Sequence, residues 1–134
     1  MSRATTVTLI ALSFMACVVS VAESAEDFLQ VNTVWSGEIR QGTAAFPAAI
    51  YIKGRDKDRI RGEIHFQVGS VLNKLTFQGN IIDGRTVAWI TDKKEGAVTY
   101  PGLYIGTLKN KSLSGIWQVP SANQYDIFTV KLGQ

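Results

Sequence analysis

Tyr104-Ile-Gly-Thr-Leu-Lys-Asn-Lys-Ser-Leu-Ser-Gly-Ile-Trp117 decides the fold. Apolar and polar residues alternate on both sides of Asn110-Lys111, the pattern of two strands joined by a tight polar turn. Each half carries a glycine at its centre, set between two large apolar residues. The same five-residue unit occurs five times, as Trp35–Ile39, Ile60–Ile64, Phe77–Ile81, Tyr104–Leu108 and Leu113–Trp117. In a strand, a glycine shares a face with the residues two before and two after it, so that face reads large, empty, large. Glycine inside a strand weakens it, so five in equivalent places imply a geometric need: sharp coiling, or room for a bulky neighbour.

The alternation extends outward from this stretch over most of the chain. It predicts strands at Thr33–Gln41, Ala48–Lys53, Arg59–Val68, Leu72–Ile82, Arg85–Thr91, Leu103–Lys109, Ser112–Val119 and Tyr125–Leu132. Asp83-Gly84 reads as the strongest two-residue hairpin turn, of the type that needs positive φ at both positions. Gly42-Thr43 and Gly69-Ser70 fit slightly longer loops, and Asp92–Gly102 and Pro120–Gln124 are the long links. No segment carries a helical period, which leaves at most one short helix in the lead-in. Eight antiparallel strands joined in sequence form an up-and-down meander, and closing it into a barrel removes two raw edges. The fold expected is therefore all-β, an eight-stranded closed or nearly closed barrel.

Parity assigns the faces. Trp35, Ile39, Ile50, Ile52, Ile60, Ile64, Phe66, Leu75, Phe77, Ile81, Val87, Trp89, Tyr104, Leu108, Leu113, Trp117, Phe128 and Val130 point inward. Glu38, Arg40, Arg61, Glu63, His65, Thr76, Gln78, Asn80, Thr107 and Lys131 point outward, as a solvated face requires. Tyr51, Ile90, Ile105 and Ile116 also point outward, and an apolar outer stripe of that kind suits a subunit interface in a homo-oligomer.

The N-terminus reads as an address. Met1-Ser-Arg3, the apolar run Val7–Val21 and the small residues up to Ala22 form a secretory signal peptide over residues 1–22. Phe14-Met-Ala-Cys17 resembles a lipobox, but Leu is missing at its first position and no polar tether follows, which argues against lipidation. Cleavage leaves residues 23–32 as a flexible lead-in and 33–134 as one domain, secreted or periplasmic, with no transmembrane anchor. It also removes Cys17, the chain's one cysteine, so neither a disulfide nor a thiolate chemistry remains. The formal charge of +3 falls to about +2 with the loss of Arg3, too little to argue for a nucleic-acid partner.

Eight short strands, Trp35-x-Gly37 near the mature start and a late Gly115-x-Trp117 resemble the calycin-type barrels, avidin-like and lipocalin-like. The resemblance implies a single-ligand cavity at one open end of the barrel. It carries over no contact residues.

Catalytic machinery is not legible. His65 is the only histidine, on the outer face with Glu63 and within cross-strand reach of Glu38, and a solvated surface cluster lacks the cleft that acid–base work needs. One histidine without cysteine gives no ordinary zinc site. Asp56-Lys-Asp58 has the alternation of a calcium loop, but Lys53, Arg55, Lys57, Arg59 and Arg61 surround it and repel a cation. Those five cations suit an anionic partner or, more plainly, a charged hairpin tip. No nucleophile elbow or phosphate loop is present. The expectation is thus a non-enzyme without cofactor or metal. The inward rings Trp35, Phe77, Trp89, Tyr104 and Trp117 either fill the core or line a pocket for a small apolar or amphipathic ligand. The alternative is an interaction domain with a filled core, meeting its partner through the outer face or the basic hairpin.

Overall fold

The computed structural model describes residues 28–95 and 102–133. Its strands are β1 (Val34–Gln41), β2 (Ala44–Asp56), β3 (Arg59–Val68), β4 (Val71–Ile81), β5 (Thr86–Glu95), β6 (Leu103–Lys109), β7 (Ser112–Val119) and β8 (Gln124–Leu132). Each pairs antiparallel with the next, and β1 pairs with β8 from Trp35↔Leu132 to Ile39↔Phe128, which closes the barrel. Residues 1–22, expected to be a signal peptide, residues 23–27 of the lead-in and residues 96–101 of the expected long link lie outside the described residues.

Strand β2 is longer than expected at both ends, and β5 runs on to Glu95 where a link was expected from Asp92. Strand β2 starts before Pro47, at Ala44, because β3 pairs with it only from Ala48 onward. The stretch through Pro47 has β1 as its one neighbour, an edge-like position that tolerates a missing N–H. The Asp83-Gly84 turn is a correction. Neither residue has positive φ. The Asp83 carboxylate instead accepts the backbone N–H groups of Arg85 and Thr86 at 2.9 and 2.8 Å, building a side-chain-capped loop. The tight left-handed turn forms at Asn110-Lys111, both with positive φ, as the opening stretch requires. Phe28 in the lead-in is helical, and one 3-10 turn, Pro120–Ala122, links β7 to β8.

All the residues assigned inward are buried except Phe66, which packs partly buried against the core. The glycines do not leave interior space. A Cβ on Gly37 would strike the Thr129 carbonyl oxygen of β8, and one on Gly62 would strike that of Tyr51 in β2. At these positions, and at Gly79 and Gly115, the role is close approach of neighbouring backbones in a tightly coiled wall, whereas Gly106 makes room for the Phe128 ring and the Leu113 side chain.

Candidate functional site

Trp89 is central to the barrel. Its ring stacks on Tyr104, with centroids 5.2 Å apart and planes 6° from parallel, and meets Phe77 and Phe128 at 5.5 Å. Trp35, Phe77 and Phe128 are buried with it. Leu29, from the lead-in, is seated in the same core near the β2–β3 end. Its carbonyl accepts Arg55 Nη1 at 3.2 Å, and Asn32 N donates to Ile52 O at 2.8 Å. The lead-in is therefore not an arm outside the barrel throughout its length: Leu29 is part of the core and fills the end where β2 turns into β3.

The opposite end is hollow. A cavity of about 290 Å³ opens there, lined mainly by Ile39, Phe46, Leu75, Thr91, Tyr104 and Trp117. Of the five rings assigned to a pocket, Tyr104 and Trp117 line it, whereas Trp35, Phe77 and Trp89 belong to the packed interior. The division follows strand position, since Tyr104 and Trp117 are cross-strand partners close to the cavity end of β6 and β7. Burial pushes the Tyr104 phenol above its usual pKa, so it stays neutral. The Trp117 indole is held in place, donating to Arg40 O at 2.8 Å.

Sequence reading missed Phe46, Asn73 and Thr91. Phe46 lies in the part of β2 before Pro47. Asn73 and Thr91 are polar but buried, and alternation alone gives no sign of that. Thr91 Oγ1 accepts from Gly102 N at 2.6 Å and donates to Gly102 O at 3.3 Å, pinning the start of β6 to the end of β5.

The basic hairpin is divided by the structure. Lys53 ion-pairs with Glu63 at 2.6 Å, and Glu63 also meets His65 Nε2 at 2.9 Å. The Lys53 ammonium first, and His65 second, hold the Glu63 carboxyl below its ordinary pKa. The suggested Glu38–Glu63 pairing does not form: β2 runs between their strands, and Glu38 meets Arg40 instead, at 3.3 Å. Arg55, Arg59 and Arg61 gather with Asp56, Gln78 and Asn80 around an open polar groove. Lys57 occupies the turn with positive φ and is not part of that lining. No group of three or more metal-ligating side chains occurs among the described residues.

The outer wall of β5–β8 differs in kind. Ala88, Ile105, Ile116 and Ile127 are successive cross-strand partners and form one row. Thr86, Thr107, Ser114 and Thr129 form the row on one side, and Ile90, Leu103, Gln118 and Tyr125 the row on the other. None of these residues carries a charge.

The fold and site together define a closed eight-stranded up-and-down β-barrel with one hollow end. Comparison of the chain with family models, curated proteins and solved structures finds no match.

Proposed function

We propose that this protein is an exported, non-enzymatic binding module that holds a small apolar or amphipathic ligand in the hollow end of its barrel. The observation that carries the reading is the 290 Å³ cavity, walled by Tyr104, Trp117, Phe46 and Leu75, above a core that Leu29 completes at the other end. Its size is near the lower end of ligand pockets, about 300 Å³. Carbon lines most of it, so burying an apolar ligand there contributes roughly 25 cal/mol per Å² removed from water. The calycin-type resemblance supports the same use of a barrel end, as an analogy of fold.

Native mass spectrometry on protein purified from its own source tests this, beside a denatured control. The expected result is an added mass in the small-metabolite range that disappears on denaturation. In a second measurement, 1-octanol should shift the Trp117 indole N–H resonance, and Val119→Trp, at a partly buried lining position, should abolish the shift. A clean apo mass together with an unmoved indole resonance overturns the reading.

A second reading rests on the uncharged outer wall of β5–β8. Copies of the processed chain, at a net charge of about +2, repel one another, but this face has no charge to oppose a second copy. With strands about 4.8 Å apart and same-face residues about 6.8 Å apart, the twelve positions cover roughly 400 Å². That is well short of the roughly 800 Å² per partner of a stable interface, so the dimer expected is weak. Sedimentation equilibrium at rising concentration should show self-association that Ile116→Lys removes; a monomer throughout excludes it.

A further inference from the structure

We propose that the groove beside the β2–β3 hairpin is a second binding site, for an acidic polysaccharide strand. The floor is open at Gly54 on β2, which presents no side chain beside its cross-strand partner Arg61. A Cβ on Gly54 would run into the Arg61 side chain, so the guanidinium lies across the bare backbone. Arg59 and Arg61 are two residues apart on one strand, hence on one face and about 7 Å from each other. Asn80 and Gln78 stand directly opposite them across the β3–β4 ladder. The result is a two-by-two array of guanidiniums and amides on a shallow floor.

Arg59 and Arg61 form no ion pair among the described residues. Arg55 lies at the hairpin end of the groove, donating from Nε to the Lys57 carbonyl at 3.0 Å and from Nη1 to that of Leu29 at 3.2 Å. Asp56 is the one carboxylate in the lining and offsets one of the three arginines.

Chemistry narrows the ligand. Guanidinium forks bind carboxylate or sulfate with charge-assisted hydrogen bonds. Amides beside them suit neutral hydroxyls: Asn80 offers donors and an acceptor, and Gln78, whose Nε2 donates to Asp92 Oδ2 at 2.9 Å, keeps a second N–H and its carbonyl. Anions repeated along a hydroxyl-rich chain satisfy both demands. A membrane surface suits the groove less well, since the lining is concave and its one large apolar residue, Ile60, is buried.

Binding of polygalacturonate and dextran sulfate, with neutral dextran as control, tests the site by calorimetry on the full mature chain. Both polyanions should bind, dextran should not, and affinity should fall as NaCl rises from about 20 to about 200 mM. Arg59→Gln/Arg61→Gln should lose about tenfold or more in affinity with an unchanged circular dichroism spectrum. Lys109→Gln/Lys131→Gln removes the same charge elsewhere and should lose little. Equal losses in the two double variants would reduce the effect to net charge and overturn the site. Absence of polyanion binding, or binding to phosphatidylglycerol vesicles alone, overturns it as well. None of these outcomes depends on whether the barrel cavity holds a ligand.

Discussion

Trp117 Nε1 donates to the backbone carbonyl of Arg40 at 2.8 Å, across 77 positions of sequence and over the intervening strand β8. The bond ties β7 to β1 beside the closing β1–β8 seam, while the same ring walls the cavity. A second tie lies close by: Gly42 N donates to Asp126 Oδ2 at 2.7 Å, joining the β1–β2 turn to the start of β8. The hollow end is therefore held in shape by hydrogen bonds, while at the other end the buried Leu29 side chain adds packing to the bonds of the lead-in.

Trp117→Phe keeps a ring in place and removes the donor. The lost bond is expected to cost about 1–2 kcal/mol, because a typical hydrogen bond contributes about 1 kcal/mol and a partly buried carbonyl left unpaired adds to the loss. Urea unfolding of the two proteins measures it. An unchanged midpoint would show that water replaces the indole at Arg40 without cost.

The barrel was legible because β-sheet parity is unforgiving: a slip of one residue would expose Trp35, Phe77, Trp89 and Phe128 together. The opening stretch predicted β6, β7 and their turn with no error in boundaries. The cavity was not legible in the same way. Trp89 and Trp117 have the same parity and the same apolar neighbours, and only their depth along the barrel separates core from pocket. Depth depends on strand stagger, which alternation does not encode. Leu29 was missed because a single residue in a non-periodic segment carries no pattern. The left-handed φ of Lys57 was missed because lysine carries no turn signature.

Glycine substitutions separate backbone approach from side-chain crowding. At Gly37 an added Cβ meets the Thr129 carbonyl and the Val130 Cα, both backbone of β8, which cannot yield without opening the seam. Gly37→Ala is expected to destabilise by about 2–4 kcal/mol. At Gly54 the obstacle is the Arg61 side chain, which can swing away. Gly54→Ala should stay within about 1 kcal/mol of the parent, while displacing the guanidinium from the groove and weakening polyanion binding. Thermal unfolding of both variants checks the contrast, and equal costs would contradict it.

Leu29 tests whether the lead-in belongs to the folded unit. It is 1% exposed, and truncating a fully buried leucine costs about 2–5 kcal/mol. Leu29→Ala should fall in that range by urea unfolding. Ile82→Ala, at a position 63% exposed, should stay within about 0.5 kcal/mol. A Leu29→Ala protein as stable as the parent would place this residue outside the cooperative core.

The acid side of the stability profile follows from Glu63. Its pKa is lower in the folded barrel than its ordinary value of 4.5, because Lys53 and His65 bind the ionised form. A carboxyl of this kind stabilises the fold above its unfolded pKa, and that contribution is lost as pH falls through the folded one. Asp83 acts with the same sign, held ionised by the Arg85 and Thr86 N–H groups. Melting temperature should therefore fall as pH drops below about 4.5. Glu63→Gln should flatten part of that decline while lowering the plateau near neutral pH. Asp83→Asn, which keeps an acceptor for the loop, should flatten it with a smaller change in the plateau. A parent and Glu63→Gln protein with superimposable pH profiles would show that the Lys53–Glu63–His65 cluster is too well solvated to matter for folding.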